Sequence, residues 1–228
     1  KGQLVFNIGL FLLPSAPAFA SILFLFSILP SALTRDDKYL NDKWNYPLMI
    51  SSILMILSCI VSSVSNKNLF SQGLDPSLSW ISLANWIPLF ICFWAFQPYL
   101  STSQSRKTSA LFIICGTVPV IVTAFGQFWF GWYGPLQIFN GFIIWFQRPI
   151  NSAEGLSGLF NNANYAGCFL ATVLPFSLAT LFKQKPSLTN RSIAFLVFSG
   201  LIITLAFTSL QNAWLALLFG LLPSFFLL

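Results

Sequence analysis

The sequence predicts an all-α fold: a polytopic integral membrane helical bundle with about seven spans, since a bilayer crossing takes about 20 mostly apolar residues. Two observations predict it. Hydrophobic residues make up 56% of the chain and charged residues 7%, with a mean hydropathy of +0.78; soluble domains carry about 25% charged residues. The charges also cluster in short segments between long apolar runs. A chain so poor in charge could not cover a water-facing surface. The whole chain, 1–228, is read as a single transmembrane domain.

The apolar runs are, in order, Leu4 to Leu29, Pro47 to Ser65, Trp80 to Leu100, Thr108 to Phe125, Asn162 to Phe182, Ser192 to Thr208, and Asn212 to the end. Pro14 and Pro17 interrupt the first. It suits either one long kinked helix or a short half-helix followed by a full one, because proline removes a backbone donor and bends or breaks a helix. There is no initiator Met, and the last residues, Phe225-Phe226-Leu227-Leu228, stop inside an apolar run. The expectation is a fragment of a longer membrane protein.

The loops between these runs give the sidedness. Arg35, Lys38, Lys43, Arg106, Lys107, Lys183, Lys185 and Arg191 fall in alternate loops that share one side. The opposite loops hold Lys67 and Arg148. Eight basic residues against two place the first side in the cytoplasm, where short loops collect Lys and Arg. Residues 126–161 and the turn near Gln211 then lie together on the outer face. This outer loop begins FWFGWYGPLQIFNGFIIWFQRPI and holds a ten-residue apolar stretch, Leu136 to Trp145. That stretch is too short to span and suits an interfacial or re-entrant segment. Trp129, Trp132, Tyr133 and Trp145 suit an aromatic belt at the headgroups. Arg148 follows; it either snorkels to the headgroups or contacts an anion.

Other function classes lose support. The net charge of +6 comes from basic residues beside apolar spans, not from a basic face, so no nucleic-acid partner is expected. Cys59, Cys92, Cys115 and Cys168 lie inside apolar runs without close spacing, as buried filler does. Neither a metal site nor a cofactor is expected, since P-loop, GxGxxG, HExxH and GxSxG patterns are missing and there is no histidine. Asp36, Asp37 and Asp42 cluster on the basic side, where they balance Arg35 and Lys38 in a solvated loop. Asp75 and Glu154 are the outer acids.

Two stretches are more specific: GLSGLFNNANYAGCFLATVLP at residues 155–175 and TSLQNAW at 208–214. Asn161 and Asn162 stand before an apolar run, where an Asn side chain caps exposed N–H groups and the helix start favours anions. Asn164 and Tyr165 fall in the first turn, within reach of the same site. Together the two stretches resemble the bacterial O-antigen ligase and O-antigen polymerase-like membrane family. There a GLFxNPNYAG-type helix start is followed, about one hairpin later, by a T-x-S-R-x-A-W-type turn. ANWIPLFICFWAFQPYL and GPLQIFNGFIIWFQRPI add the aromatic outer loop of that family, so the resemblance covers most of the chain from Trp80 onward.

The resemblance implies a glycosyltransferase in the bacterial inner membrane. Its partners would be membrane lipid, an undecaprenyl-diphosphate-linked glycan as donor, and a glycan or lipid acceptor on the outer face. Outer-side arginines hold the diphosphate in that family, and a histidine in a later outer loop activates the acceptor, so the base would lie beyond Leu228. On this reading the substrate-binding set is Arg148, Asn161, Asn162, Asn164, Tyr165, Gln211 and Asn212. The chain departs from the family at Leu210-Gln211, where the family turn carries Ser-Arg. That departure keeps open a non-catalytic relative; a small-anion transporter, for bicarbonate for example, is the other alternative.

The sidedness has a direct test. With single cysteines in a cysteine-free background, an impermeant thiol reagent on intact spheroplasts should label a cysteine at Ser152 and spare one at Ser103. The reverse pattern would invert the topology.

Overall fold

A computed structural model describes residues 2–34, 41–65, 77–141, 143–150, 155–182 and 188–226. Several sequence landmarks, among them Arg35, Lys38, Asp36, Asp37, Lys67, Asp75, Ser152, Glu154, Lys183 and Lys185, lie outside the described residues. The chain is helical almost throughout. The helices are α1 (Gly2–Leu12), α2 (Pro17–Thr34), α3 (Tyr46–Ser65), α4 (Ser77–Phe96), α5 (Ser103–Gly116), α6 (Val118–Phe130), α7 (Ala163–Leu181), α8 (Leu188–Phe207) and α9 (Gln211–Phe226). Two short strands, β1 (Leu136–Ile138) and β2 (Ile143–Trp145), pair antiparallel with Ile138 opposite Ile143.

Among the described residues five helical stretches are long and apolar enough to cross a bilayer: Lys43–Val64, Leu78–Leu100, Ser103–Phe130, Ala163–Leu181 and Leu188–Phe207. These are the helices of a multi-pass membrane protein. The rest are shorter as far as they are described, so five of the expected seven spans are shown to be of spanning length. The first expected span is divided. Pro14 and Pro17 offer no N–H to a continuous helix, and α1 ends at Leu12, whose carbonyl accepts from Ala16 at 2.7 Å. Pro17 then opens α2, a position where its missing donor goes unneeded. The division after a short half-helix is observed, whereas the full helix expected to follow it is not, since α2 is not among the stretches of spanning length.

The stretch Ser103–Phe130 bends at Thr117 for a related reason. Pro119 has no N–H to donate, and the fully buried Thr117 hydroxyl takes the Ile114 carbonyl at 2.6 Å. Beyond it α6 runs to Phe130, five residues past the end expected at Phe125. Gly131 stops it in the left-handed conformation (φ 62°), which glycine adopts without a Cβ clash. Hydroxyls inside the spans bond to their own helices: Ser51, Ser63, Thr172 and Thr204 each donate to the carbonyl four residues back at 2.8 Å. In hydrocarbon, where no water competes, that satisfies a donor an apolar helix would otherwise strand.

Two compact units emerge, one of Gln3–Phe24 with Ser103–Leu228, the other of Leu25–Thr102. In the second, Ser31 donates to the Ala95 carbonyl and Tyr99 to the Ser27 carbonyl, both at 2.6 Å. There α3 lies beside α4, with the Trp80 indole on the Ser63 hydroxyl at 3.1 Å. Most of α3 stays exposed, Leu54 and Val61 for instance, as an apolar face turned to lipid would be. In the first unit, α6, α7, α8 and α9 share a core around Val120, Leu170, Leu201, Leu205 and Leu217. Helix α1 joins α5 through polar groups. Ser109 donates to the Asn7 side-chain oxygen at 2.8 Å, and the Gln3 amide bridges the two at 3.4 and 3.5 Å.

Replacing Asn7 by Leu keeps the volume and removes the acceptor that Ser109 uses. A hydrogen bond between membrane helices contributes about 0.6–2 kcal/mol, so Asn7→Leu should destabilise the protein by roughly 1 kcal/mol in reversible detergent unfolding. Ser109→Ala should add little on top of it.

Candidate functional site

The site is built in the first unit from one buried loop, one helix start and one tight turn. After α6 the chain runs through the β1–β2 hairpin, whose connection carries Phe139, Asn140 and Gly141 at positive φ. The ten-residue apolar stretch from Leu136 to Trp145 is therefore a hairpin. Its β-branched residues suit strands, and the bend falls at Asn140-Gly141. Trp129, Trp132 and Tyr133 are exposed, whereas the half-buried Trp145 indole donates to the Ser15 carbonyl.

Beyond the hairpin the chain is pinned to α6. Gln147, almost fully buried, donates from Nε2 to the Thr123 carbonyl at 3.0 Å, and its own carbonyl accepts from the Gly134 N–H at 2.9 Å. Next to it Arg148 is exposed, and its carbonyl accepts from Gln127 Nε2 at 2.6 Å. Gln127 Oε1 takes the Ser157 and Gly158 N–H groups at 3.1 and 3.0 Å. The segment from Gly155 to Leu159 is thus buried yet satisfied, as buried backbone must be. Leu156 N–H adds a bond to the Phe207 carbonyl at 3.0 Å.

Asn162 caps α7. Its backbone is extended, and its side-chain oxygen accepts from the Asn164 N–H at 2.7 Å. No acidic residue stands in the first turn of α7, so the partial positive charge of the helix start is not offset there. Across from it Thr208, Ser209 and Leu210 join α8 to α9, with Ser209 in the left-handed region (φ 57°) and the Thr208 hydroxyl on the Leu205 carbonyl at 2.7 Å.

These pieces enclose a cleft of about 240 Å³ lined by Arg148, Gly155, Ser157, Asn162, Ala163, Asn164, Thr208, Ser209 and Leu210. One guanidinium, a helix start and three hydroxyl-bearing residues converge on it, and among the described residues no lining residue is acidic. Such a set suits an anion with several oxygens. Of the residues expected from sequence, Arg148, Asn162 and Asn164 line the cleft. Asn161 and Tyr165 are exposed beside it, and Gln211 and Asn212 are exposed on the first turn of α9; none of the four is a lining residue. Gln127, Ser157, Thr208 and Ser209 were not singled out by the sequence. Ser157, Thr208 and Ser209 lie inside the two stretches marked as specific, and the signal for Gln127 is its place as a lone amide in the apolar run of α6.

Gly155 makes the closest approach in the site: a Cβ there would collide with the Thr208 carbonyl. Gly155→Ala should therefore push the loop off the turn and break the Leu156–Phe207 bond. Overpacking of this kind costs about 1–3 kcal/mol, measurable as a lowered thermal midpoint in detergent.

Compared with protein-family models, with curated proteins and with solved structures, the chain matches none.

Proposed function

We propose that the protein is an O-antigen ligase or polymerase-like glycosyltransferase of the bacterial inner membrane. It would move a glycan from undecaprenyl diphosphate to an acceptor on the outer face. The observation that carries this reading is the convergence of Arg148, the capped start of α7 and the Thr208–Leu210 turn on one cleft. These are the pieces that carry the family resemblance, and they are distant in sequence. Departure of the diphosphate leaves negative charge on the leaving oxygen. A guanidinium fork matches phosphate oxygens bidentately, and it stabilises that charge more strongly in a site with little water. The hydroxyls of Ser157, Thr208 and Ser209 supply further donors.

Transport of a small anion fits less well. Transporters set ionisable sites near the midplane, often beside broken helices, and this chain shares only the broken helices, after Leu12 and at Thr117. Among the described helices the charged residues, Arg106, Lys107 and Arg191, stand in first turns of α5 and α8. A non-catalytic relative has one observation in its favour. Leu210 lines the cleft where the resembled family carries Ser, and Gln211, in place of Arg, is exposed.

Two measurements separate these readings. Removing a charge-assisted hydrogen bond costs about 1.5–3 kcal/mol, so Arg148→Ala in the full-length protein should lower glycan transfer roughly 10- to 100-fold at matched membrane expression. Unchanged turnover would leave Arg148 a headgroup anchor. The double change Leu210→Ser, Gln211→Arg should raise transfer above the parent. A variant that inserts normally and transfers no more than the parent favours the non-catalytic relative.

A further inference from the structure

Thr123 and Gln127 stand one turn apart on the same face of α6, and both engage the segment that carries Arg148. Thr123 offers its carbonyl to the Gln147 side chain, and Gln127 offers its amide to the Arg148 carbonyl at 2.6 Å. Arg148 is therefore gripped at its own backbone and at its neighbour's side chain. The other end of the Gln127 amide holds the opposite segment, through the Ser157 and Gly158 N–H groups, and its Nε2 also lies 3.3 Å from the Ser157 hydroxyl. One buried side chain, 2% exposed, thus spans from the residue that brings the cleft's charge to the loop that lines its opposite wall. It does not itself line the cleft.

An amide is well suited to this task. It donates and accepts at once, so a single group can satisfy a carbonyl on one strand and two N–H groups on another. A carboxylate could not donate to the Arg148 carbonyl, and an apolar side chain would take the partner from two buried N–H groups and a part-buried carbonyl. All of its bonds go to the two segments on either side of the cleft, Arg148 on one and Ser157 and Gly158 on the other.

We infer that Gln127 is a positioning residue for the cleft, holding Arg148 at the separation from the Ser157 wall that a diphosphate requires. This rests on the reading of the cleft as a diphosphate site. Gln127 touches no ligand; it acts through Arg148.

The test uses the full-length protein in nanodiscs, titrated with undecaprenyl diphosphate, and compares the parent with Gln127→Met, Arg148→Ala and the double variant. Methionine conserves volume and removes both halves of the amide. Loss of a buried partner corresponds to about a tenfold change in affinity. Gln127→Met should therefore weaken binding about tenfold at unchanged binding capacity, and by less than about twofold in the Arg148→Ala background. Equal losses in both backgrounds, a lowered capacity at unchanged affinity, or no loss at all would overturn the inference. A parent that binds no undecaprenyl diphosphate overturns the diphosphate reading and, with it, the positioning role. Amide exchange at Ser157 and Gly158 then tells the two failures apart: faster exchange in Gln127→Met retains the brace as a purely structural one, and unchanged exchange removes that as well.

Discussion

A hydrocarbon bilayer offers no water to a backbone N–H or C=O, and the structure is organised by that lack. Wherever the chain crosses apolar surroundings it is helical, so that its backbone bonds close within the segment. Wherever a helix is interrupted, another group takes over. Thr117 covers the Ile114 carbonyl at the end of α5, Asn162 covers the start of α7, and the Gln127 amide covers Arg148, Ser157 and Gly158. Buried polar side chains inside helices, Asn7, Ser109 and Thr204 among them, bond to a neighbouring helix or to their own.

This explains why a cleft forms at helix ends. An irregular backbone is tolerated in such a protein only where other protein groups or a polar cavity satisfy it. The buried segment from Gly155 to Leu159 meets that condition by bonding to α6 on one side and to the end of α8 on the other. The cost of ordering the loop is offset by bonds that also fix the cleft walls, so the same contacts serve folding and ligand geometry.

Much of the fold was legible because long apolar runs mean helices, and the cap at Asn162 was legible because Asn before an apolar run is a local signal. The end of α6 was not. Gly126-Gln127 looks like the start of a loop, yet α6 runs on to the left-handed Gly131, and the Gln127 side chain finds its partners some thirty positions away. The hairpin was hidden for another reason: isoleucine and aromatic residues suit a strand, a helix or an interfacial segment alike, and periodicity over so few positions does not choose. In the turn after α8, sequence pointed to Gln211, yet the left-handed Ser209 turns the chain so that Thr208, Ser209 and Leu210 meet the cleft first. A single φ angle redistributes which residues face a ligand, and composition does not encode it.

The break between α1 and α2 has a reach beyond its own turn. In an unbroken helix the Ser15 carbonyl would be used up by a donor four residues on, which is Phe19. Here it receives the indole of Trp145, 130 positions away in sequence. The prolines that interrupt the helix thereby free an acceptor, and a distant strand end is moored to it. A change at Pro14 or Pro17 that restored a continuous helix would take that mooring back, and its effect would surface first in the hairpin that leads to Arg148.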